Sequence, residues 1–201
     1  MDDAEVHLID DDEAVRESLG FVLEMNDLPA KTYASAAQFL KVVGSHTRGC
    51  IVTDVRMPDV SGLELVRMLR ERQIELPVVM ITGHGDVPLA VEAMRAGVVD
   101  FIEKPFENDV LLRSIRTALD VQAERVGRDE ESRRFERMLA TLSPREMDVL
   151  RGVIAGKMNK VIAHELGISP RTVEVYRANV MNKTQANSLS ELVRIAMLAG
   201  F

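Results

Sequence analysis

The 201-residue sequence has a single cysteine, Cys50, and lacks any long apolar run. One thiol excludes an internal disulfide framework, and its place inside an apolar run favours a buried structural residue in a reducing compartment. No run approaches the roughly 18 apolar residues of a membrane-spanning helix. The first residues are acidic and lack the basic region of a signal peptide. We therefore expect a cytoplasmic protein with no membrane partner.

Charge is distributed unevenly along the chain, whose length fits two modest domains. Residues 1–120 contain 12 basic and 22 acidic residues, whereas residues 142–201 contain eight basic and five acidic ones. The segment between them, residues 121–141, is rich in charges of both signs, which balance. This division predicts an acidic domain, a linker helix or a plain charged tether, and a basic domain that is the candidate for binding nucleic acid.

Five short apolar runs in the acidic part alternate with segments whose apolar residues recur at helical spacing. The runs begin at Val6, near Pro29, and at Cys50, Val78 and Asp100. This alternation predicts an α/β domain in which helices cover both faces of a doubly wound parallel sheet of five strands.

Polar side chains stand where these predicted strands end. In parallel α/β sheets, ligands bind outside the carboxyl ends of the strands. Three acids, a hydroxyl and an amine occupy those positions here: Asp10, Asp11, Asp54, Thr82 and Lys104. We expect them to meet at one edge of the sheet.

Asp54 lies in the stretch VTDVRMPDVSG, residues 52–62, directly after an apolar run. Converging carboxylates repel one another unless a cation joins them, and Mg²⁺ is a hard ion that binds carboxylates and phosphate oxygens. A carboxylate that attacks phosphorus forms an acyl phosphate. We interpret Asp54 as the phosphate acceptor, with Lys104 and Thr82 contacting the phosphoryl oxygens. The alternative for Lys104 is a salt bridge that only neutralises surplus acid.

The basic part predicts an all-α domain of four helices. Ser143, Pro144 and Glu146 form a helix-start signature, and Gly167 separates two later helices in the helix-turn-helix arrangement. The second of these helices enters the major groove in such motifs. The residues predicted to contact bases or phosphates are Lys160, Arg171, Thr172, Glu174, Val175, Arg177 and Ala178. A four-helix protein-binding module is the alternative.

The first 120 residues resemble the receiver domain of bacterial two-component response regulators. The resemblance rests on the acidic pair at residues 10–11, the motif TDVRMPDVSG, Thr82 and the motif DFIEKPF around Lys104. It implies the flavodoxin-like strand order 2-1-3-4-5 and a sensor histidine kinase that phosphorylates Asp54. It further implies that Mg²⁺ is held by Asp11, Asp54 and the backbone carbonyl of Arg56, with assistance from Asp10, and that Thr82 and Phe101 form a switch pair. The plainer reading of Phe101 is a core residue.

The last 60 residues resemble the LuxR-type DNA-binding domain, and a receiver joined to this domain defines the NarL/FixJ family of response regulators. The stretches GHGDVPLAVEAMRAGVVDFIEKPF, in the receiver, and SPRTVEVYRANVM, in the second domain, carry the resemblance of the whole chain to this family. It implies a transcriptional activator of nitrogen fixation and the low-oxygen response, which dimerises on phosphorylation and binds promoter sites in double-stranded DNA. The implied partners are an oxygen-sensing FixL-type histidine kinase and, as a further candidate, RNA polymerase. Two residues depart from the family pattern: Val161 stands where the family usually has an acid, and Thr184 stands where it usually has an apolar residue. In addition, Glu174 occupies a position that is often basic in relatives.

Two other function classes compete with a regulator. A Mg²⁺-dependent phosphohydrolase that forms an aspartyl phosphate needs a second acid two places after its nucleophile, where this chain has Arg56. We therefore expect no enzyme activity apart from phosphate acceptance and slow autodephosphorylation. The second alternative is a receiver whose output domain acts on protein or RNA, which salt-dependent binding to duplex DNA would distinguish.

Overall fold

The computed structural model describes residues 4–83 and 87–201. Residues 84–86, which belong to one of the quoted family stretches, and the acidic residues 2 and 3 lie outside the described residues. The chain divides into two units, residues 1–125 and 126–201.

The first unit is an α/β domain in which strands and helices alternate. Its elements are β1 (Glu5–Ile9), α1 (Glu13–Glu24), β2 (Ala30–Tyr33), α2 (Ala36–Leu40), β3 (Gly49–Asp54), α3 (Gly62–Glu71), β4 (Val78–Thr82), α4 (Val87–Arg95), β5 (Asp100–Glu103) and the start of α5 (Asn108–Leu139). The five strands form one parallel sheet in the order β2-β1-β3-β4-β5. The predicted fold class and strand order are confirmed.

The central strand β3 is buried along its whole length because helices cover both faces of the sheet. Successive side chains of a strand point to opposite faces. Ile51 accordingly packs in one apolar cluster with Phe39, whereas Cys50 and Val52 pack in a second cluster with Ile115 of α5. These two layers of apolar side chains fix the sheet and hold the polar ends of its strands in place.

The second unit contains the end of α5 and four further helices: α6 (Pro144–Ile154), α7 (Asn159–Leu166), α8 (Pro170–Thr184) and α9 (Leu189–Leu198). Ser143 and Glu146 make the predicted reciprocal capping box at the start of α6. Gly167 ends α7 at φ 66°, a conformation that favours glycine, and α8 begins three residues later. The predicted helix-turn-helix is therefore α7 and α8.

The core of this unit includes residues that precede α6. Phe135 and Leu139, at the end of α5, are buried in the same apolar cluster as Val149, Val173 and Ile195. The division of the chain after Arg125 thus assigns the last part of α5 to the second unit. Of the helices that the structure describes, none is both long and apolar enough to cross a membrane.

Candidate functional site

Two carboxylates meet one ammonium group at the carboxyl edge of the sheet. The Nζ atom of Lys104 lies 3.1 Å from Oδ1 of Asp54 and 3.3 Å from Oδ2 of Asp10. Asp54 is 9% exposed and Asp10 is 3% exposed. The register places these groups together, because Ile9 pairs with Thr53 and Thr82 pairs with Glu103, the residue before Lys104.

The backbone around Asp54 orients its carboxylate. The N–H of Arg56 donates to Oδ2 of Asp54 at 2.7 Å. The start of α3 approaches β3 so closely that a Cβ at Gly62 would lie 2.5 Å from the carbonyl oxygen of Asp54. Gly62 is therefore required for this approach, and the capping box of Ser61 and Glu64 fixes the first turn of the helix.

The backbone and side chains at the start of α1 hold Asp10 in place. Its Oδ1 accepts from the N–H of Asp12 at 2.9 Å, and its carbonyl oxygen accepts from Nη1 of Arg16 at 2.7 Å. Asp12 in turn caps α1 through its side chain. The first turn of α1 therefore sets the position of the Asp10 carboxylate.

Burial and charge act in opposite directions on the ionisable groups of this pocket. Burial raises the pKa of Asp10, although the Asp12 N–H and the Lys104 ammonium act to lower it. Burial acts to lower the pKa of Lys104, but Asp10 and Asp54 together outweigh it, and the pKa is raised. Lys104 is therefore an ammonium at neutral pH, a fixed positive charge beside Asp54.

The oxygen atoms of this pocket suit a hard divalent cation. Two carboxylates already converge, and the Arg56 peptide follows Asp54 closely, which matches the one or two carboxylates with waters that Mg²⁺ uses. Asp11 is exposed beside them. Among residues 4–83 and 87–201, no three His, Cys, Asp or Glu side chains are clustered as a preformed metal site. The predicted Mg²⁺ ligands stay a prediction.

Thr82 and Phe101 lie on neighbouring strands near this pocket. Thr82 is fully buried at the end of β4, and its carbonyl oxygen accepts from the N–H of Lys104 at 2.7 Å. Phe101 pairs with Met80, two positions earlier on β4, and its half-buried ring packs against the core. Both residues therefore adjoin the strand ends that hold Lys104.

Sequence reasoning missed the contacts that hold β5 against α5. Asp100 accepts from the N–H of Phe101 at 2.8 Å through Oδ1 and from the Ser114 hydroxyl through Oδ2. Ser114 is buried, and its hydroxyl oxygen also lies 3.1 Å from the carbonyl oxygen of Val110. Asp100 and Ser114 are 14 residues apart, and no local pattern in the sequence pairs them.

Four of the residues predicted to contact DNA form one exposed stripe on α8. Arg171, Glu174, Val175 and Ala178 are all exposed and follow the spacing i, i+3, i+4, i+7, which defines one helix face. The opposite face is buried through Val173 and Val180. Lys160 is exposed on α7. The stripe is a surface of the kind that can enter the major groove.

The other two predicted contacts have partners within the domain. Nη1 of Arg177 donates to Oδ1 of Asn159, the first residue of α7, at 2.7 Å. The hydroxyls of Thr172 and Ser169 lie 2.8 Å apart, and the Ser169 hydroxyl also caps α8. Arg177 therefore joins α7 to α8. Asn159 was not among the predicted residues, because an asparagine at a helix start is most simply interpreted as part of the cap.

An ion pair between the exposed Lys183 and the buried Glu146 joins α8 to α6. Lys183 donates to Oε2 of Glu146 at 2.6 Å and to the carbonyl oxygen of Thr141 at 3.3 Å. The Lys183 ammonium, followed by the Ser143 N–H, lowers the pKa of the buried Glu146 to about 2. Thr184, the departure from the family pattern, is also buried, and its hydroxyl donates to the carbonyl oxygen of Val180 at 2.7 Å. The hydroxyl is thus satisfied inside its own helix.

Comparison with known families assigns a family to each unit. Residues 6–116 match the response regulator receiver domain. Residues 140–196 match the luxR family of bacterial regulatory proteins.

Individual relatives match along almost the whole chain. The transcriptional regulatory protein FixJ of Azorhizobium caulinodans is 55% identical, covering 97% of this chain and 92% of that protein. FixJ of Rhizobium meliloti is 51% identical over all of this chain and 98% of its own length.

Solved structures match to a similar extent. The response regulator StyR has a TM-score of 0.84 at 40% identity, covering 97% of this chain and 98% of its own. Full-length FixJ of B. japonicum has a TM-score of 0.60 at 49% identity, and the match covers 98% of this chain and 97% of that one. The proteins named in these comparisons are described as transcriptional regulatory proteins or as response regulators.

Proposed function

This chain belongs to the response regulators that join a receiver domain to a LuxR-type DNA-binding domain, and on that premise we propose that phosphorylation of Asp54 controls its binding to promoter DNA. The observation that carries the proposal is the Lys104 ammonium, which lies within 3.3 Å of both Asp54 and Asp10. A carboxylate at a strand end beside a fixed positive charge can accept a phosphoryl group and retain it.

The proposed reaction is a transfer from a phosphohistidine of a sensor kinase. An oxygen of Asp54 attacks phosphorus, the phosphorus–nitrogen bond breaks, and its electron pair returns to the histidine ring. The Arg56 N–H orients the Asp54 carboxylate, and Lys104 is placed to pair with the oxygens of the new acyl phosphate. The only catalysis we assign beyond this step is slow hydrolysis of that phosphate.

Receiver domains generally bind Mg²⁺ at the phosphorylation site. We assign its ligands here to Asp11, Asp54 and the backbone carbonyl of Arg56, with assistance from Asp10. When bound, the ion supplies positive charge that offsets the charge of the incoming phosphoryl group. The carboxylates of Asp10 and Asp54 converge closely enough to share Lys104, which supports a cation site at this edge of the sheet.

Thr82 and Phe101 form the proposed switch. The Thr82 hydroxyl, at the end of β4, turns to the phosphoryl group, and the Phe101 ring then moves inward. The neighbouring helix α4 exposes Val87, Val91 and Met94, which follow the spacing i, i+4, i+7 of one apolar face. This face supports a homodimer that forms after phosphorylation.

The proposed output is activation of transcription from double-stranded promoter sites. The exposed stripe of α8 meets the major groove, while Lys160 and Arg171 contact phosphates. RNA polymerase is a further proposed partner. The relatives named FixJ support an oxygen-sensing FixL-type kinase as the phosphodonor and a role in nitrogen fixation under low oxygen. We place this activity in the cytoplasm.

The direct test of the proposal is the Asp54→Asn variant. Incubation with Mg²⁺ and a radiolabelled small phosphodonor should label the wild-type chain, whereas Asp54→Asn should lose the labelling almost completely, because an amide oxygen is not a nucleophile for phosphorus. Asp59→Asn is the matched control. Asp59 is an exposed acid of the same loop at φ 70°, a conformation that asparagine tolerates, and this variant should keep its labelling. Undiminished labelling of Asp54→Asn would contradict the assignment.

A further inference from the structure

The exposed stripe on α8 has an unusual chemical composition for a surface that meets DNA. Its four members are one cation, Arg171, one carboxylate, Glu174, and two apolar side chains, Val175 and Ala178. Val175 is 54% exposed although it is apolar. Glu174 has no ion-pair partner among the residues that the structure describes, so its charge is free to meet a ligand.

The length of the stripe limits what it can read. At about 1.5 Å per residue, the distance from Arg171 to Ala178 along the helix axis is about 10 Å. Base pairs follow one another at about 3.4 Å in B-DNA, so the stripe covers about three base pairs. The amino-terminal residues of a recognition helix contact base edges, which places Glu174 and Val175 near the centre of these three pairs.

Two other polar residues of α8 have hydrogen-bond partners within the domain, which narrows the set of residues that can read bases. Arg177 is held by Asn159 at 2.7 Å, and Thr172 is paired with Ser169 at 2.8 Å. These contacts orient both side chains within the domain. Direct readout of bases therefore falls to Glu174 and Val175, while Arg171 near the helix start suits a phosphate.

A carboxylate can only accept hydrogen bonds, so it restricts the base that it meets. In the major groove, guanine presents two acceptors and thymine presents an acceptor and a methyl group, and both repel or fail to bond a carboxylate. Adenine presents a donor beside an acceptor, and that acceptor repels the second oxygen of the carboxylate. Cytosine presents the N4 amino donor alone, and the isopropyl group of Val175 matches the methyl group of thymine.

We propose that the half-site recognised by this protein contains a cytosine read by Glu174 and, within the same three base pairs, a thymine read by Val175. This inference rests on the proposed function, because it requires that α8 enters the major groove. The hydrogen bond from Arg177 to Asn159 orients Arg177 within the domain and leaves the stripe to Glu174 and Val175.

The experiment is selection of binding sites from a random duplex library by the full-length chain, phosphorylated with a small phosphodonor and Mg²⁺. Wild-type sites should contain a fixed cytosine, and replacing it by thymine should weaken binding by about 5- to 150-fold. Glu174→Gln should change the selected base from cytosine to adenine, because a glutamine amide pairs with the adenine donor and acceptor. Replacing the selected thymine by deoxyuridine should weaken wild-type binding about fourfold, the value of one buried methyl group. The same replacement should weaken binding of Val175→Ala less, because alanine lacks the two methyl groups of the valine side chain.

Glu165→Gln is the matched control. Glu165 is an exposed acid on α7 that pairs with Lys157, so this variant removes the same charge away from the stripe and should keep the cytosine preference. The inference is wrong if wild-type sites lack a fixed cytosine or if Glu174→Gln selects the same sites as wild type. Failure of the phosphorylated wild type to select any sequence would overturn the proposed function as well.

Discussion

Single buried polar atoms affect the stability of the receiver unit. The Oε1 atom of Gln122, in α5, is buried and has no hydrogen-bond partner within the described part of the chain. Leaving a buried acceptor unpaired costs about 1–3 kcal/mol. By contrast, the buried Cys50 thiol fits an apolar site without a partner, and burial raises its pKa to about 12. The predicted burial of Cys50 is confirmed.

Replacing Gln122 by methionine should stabilise the receiver unit. The variant keeps a similar volume and removes the unpaired oxygen, so the free energy of unfolding should rise by about 1–2 kcal/mol. Hydrogen exchange of the strand amides measures this free energy in the full chain. Gln122→Glu, which places a charge in the same position, should lower it. A less stable methionine variant would show that the oxygen is bonded in solution, for example to an ordered water.

At the scale of elements, the contacts between helices of the second unit explain how α8 is held. Lys183 joins α8 to Glu146 of α6, and Arg177 joins it to Asn159 of α7. The first contact lies at the carboxyl end of α8 and the second near its middle. The helix that carries the exposed stripe is thus fixed at two levels, which holds its orientation for recognition.

The Glu146–Lys183 pair should make the stability of the second unit sensitive to acid. The pKa of Glu146 is lowered from about 4.5 to about 2 in the folded state, so its contribution is complete above pH 4.5 and is lost as the pH falls to about 2. Urea denaturation of residues 126–201, followed by circular dichroism between pH 6 and pH 2, measures this loss. Lys183→Met should already be less stable than wild type at pH 6, and its free energy of unfolding should fall less on acidification. Equal pH dependence in both proteins would contradict the assignment.

The end of α5 should be essential for folding of the DNA-binding unit. Phe135 and Leu139 are 6% and 4% exposed in its core, and Ser132 donates to the carbonyl oxygen of Leu198 at 2.6 Å. Truncating single buried side chains of these sizes costs about 2–5 kcal/mol each. The predicted boundary at Leu142 omits all three residues. Residues 126–201 should therefore unfold cooperatively on heating, whereas residues 142–201 should be at least about 5 kcal/mol less stable.

An intermediate variant tests this argument about the boundary. Phe135→Ala in residues 126–201 removes one of the two core side chains and the stacking of Arg194 on its ring, 5.8 Å from the guanidinium carbon. Its stability should fall between those of the two fragments. If residues 142–201 melt at the same temperature as residues 126–201, the end of α5 does not belong to the folded unit.

At the scale of the whole molecule, the two units contribute opposite charges and different chemistry. Residues 1–120 have a net charge of −10 and contain the proposed phosphoacceptor, whereas residues 142–201 have a net charge of +3 and contain the proposed reader of DNA. A small positive charge gives weak binding to phosphates. We therefore expect tight binding to depend on bringing two copies together on paired half-sites.

Phosphorylation should convert the protein from a monomer into a dimer. Light scattering with size-exclusion chromatography should show this change when Mg²⁺ and a small phosphodonor are added, and affinity for a paired site should rise by about 100-fold or more. Val91→Glu places a charge in the apolar face of α4 and should stay monomeric although it is labelled normally. Dimerisation of this variant on phosphorylation would exclude that face as the interface.

The sequence by itself determined the elements and their order. Alternating apolar runs, helical periodicity and capping residues such as Ser61 and Ser143 are local signals, because each depends on residues within one or two turns. Parallel strands place their carboxyl ends at one edge, so the meeting of Asp54 with Lys104 also followed from the pattern. The family motifs added the proposed roles of these residues.

Only the tertiary structure decided which side chains pair across elements. Arg177 with Asn159, Lys183 with Glu146, and Phe135 in the core of the second unit join residues that no local periodicity relates. Which face of a helix stays exposed depends on the elements that pack against its other faces. Only the packed domain therefore showed which of the seven candidate DNA contacts lie in the exposed stripe or, like Lys160, on the surface of α7. The unpaired oxygen of Gln122 was likewise visible only in the tertiary structure, because the burial of a polar atom depends on all the residues packed around it.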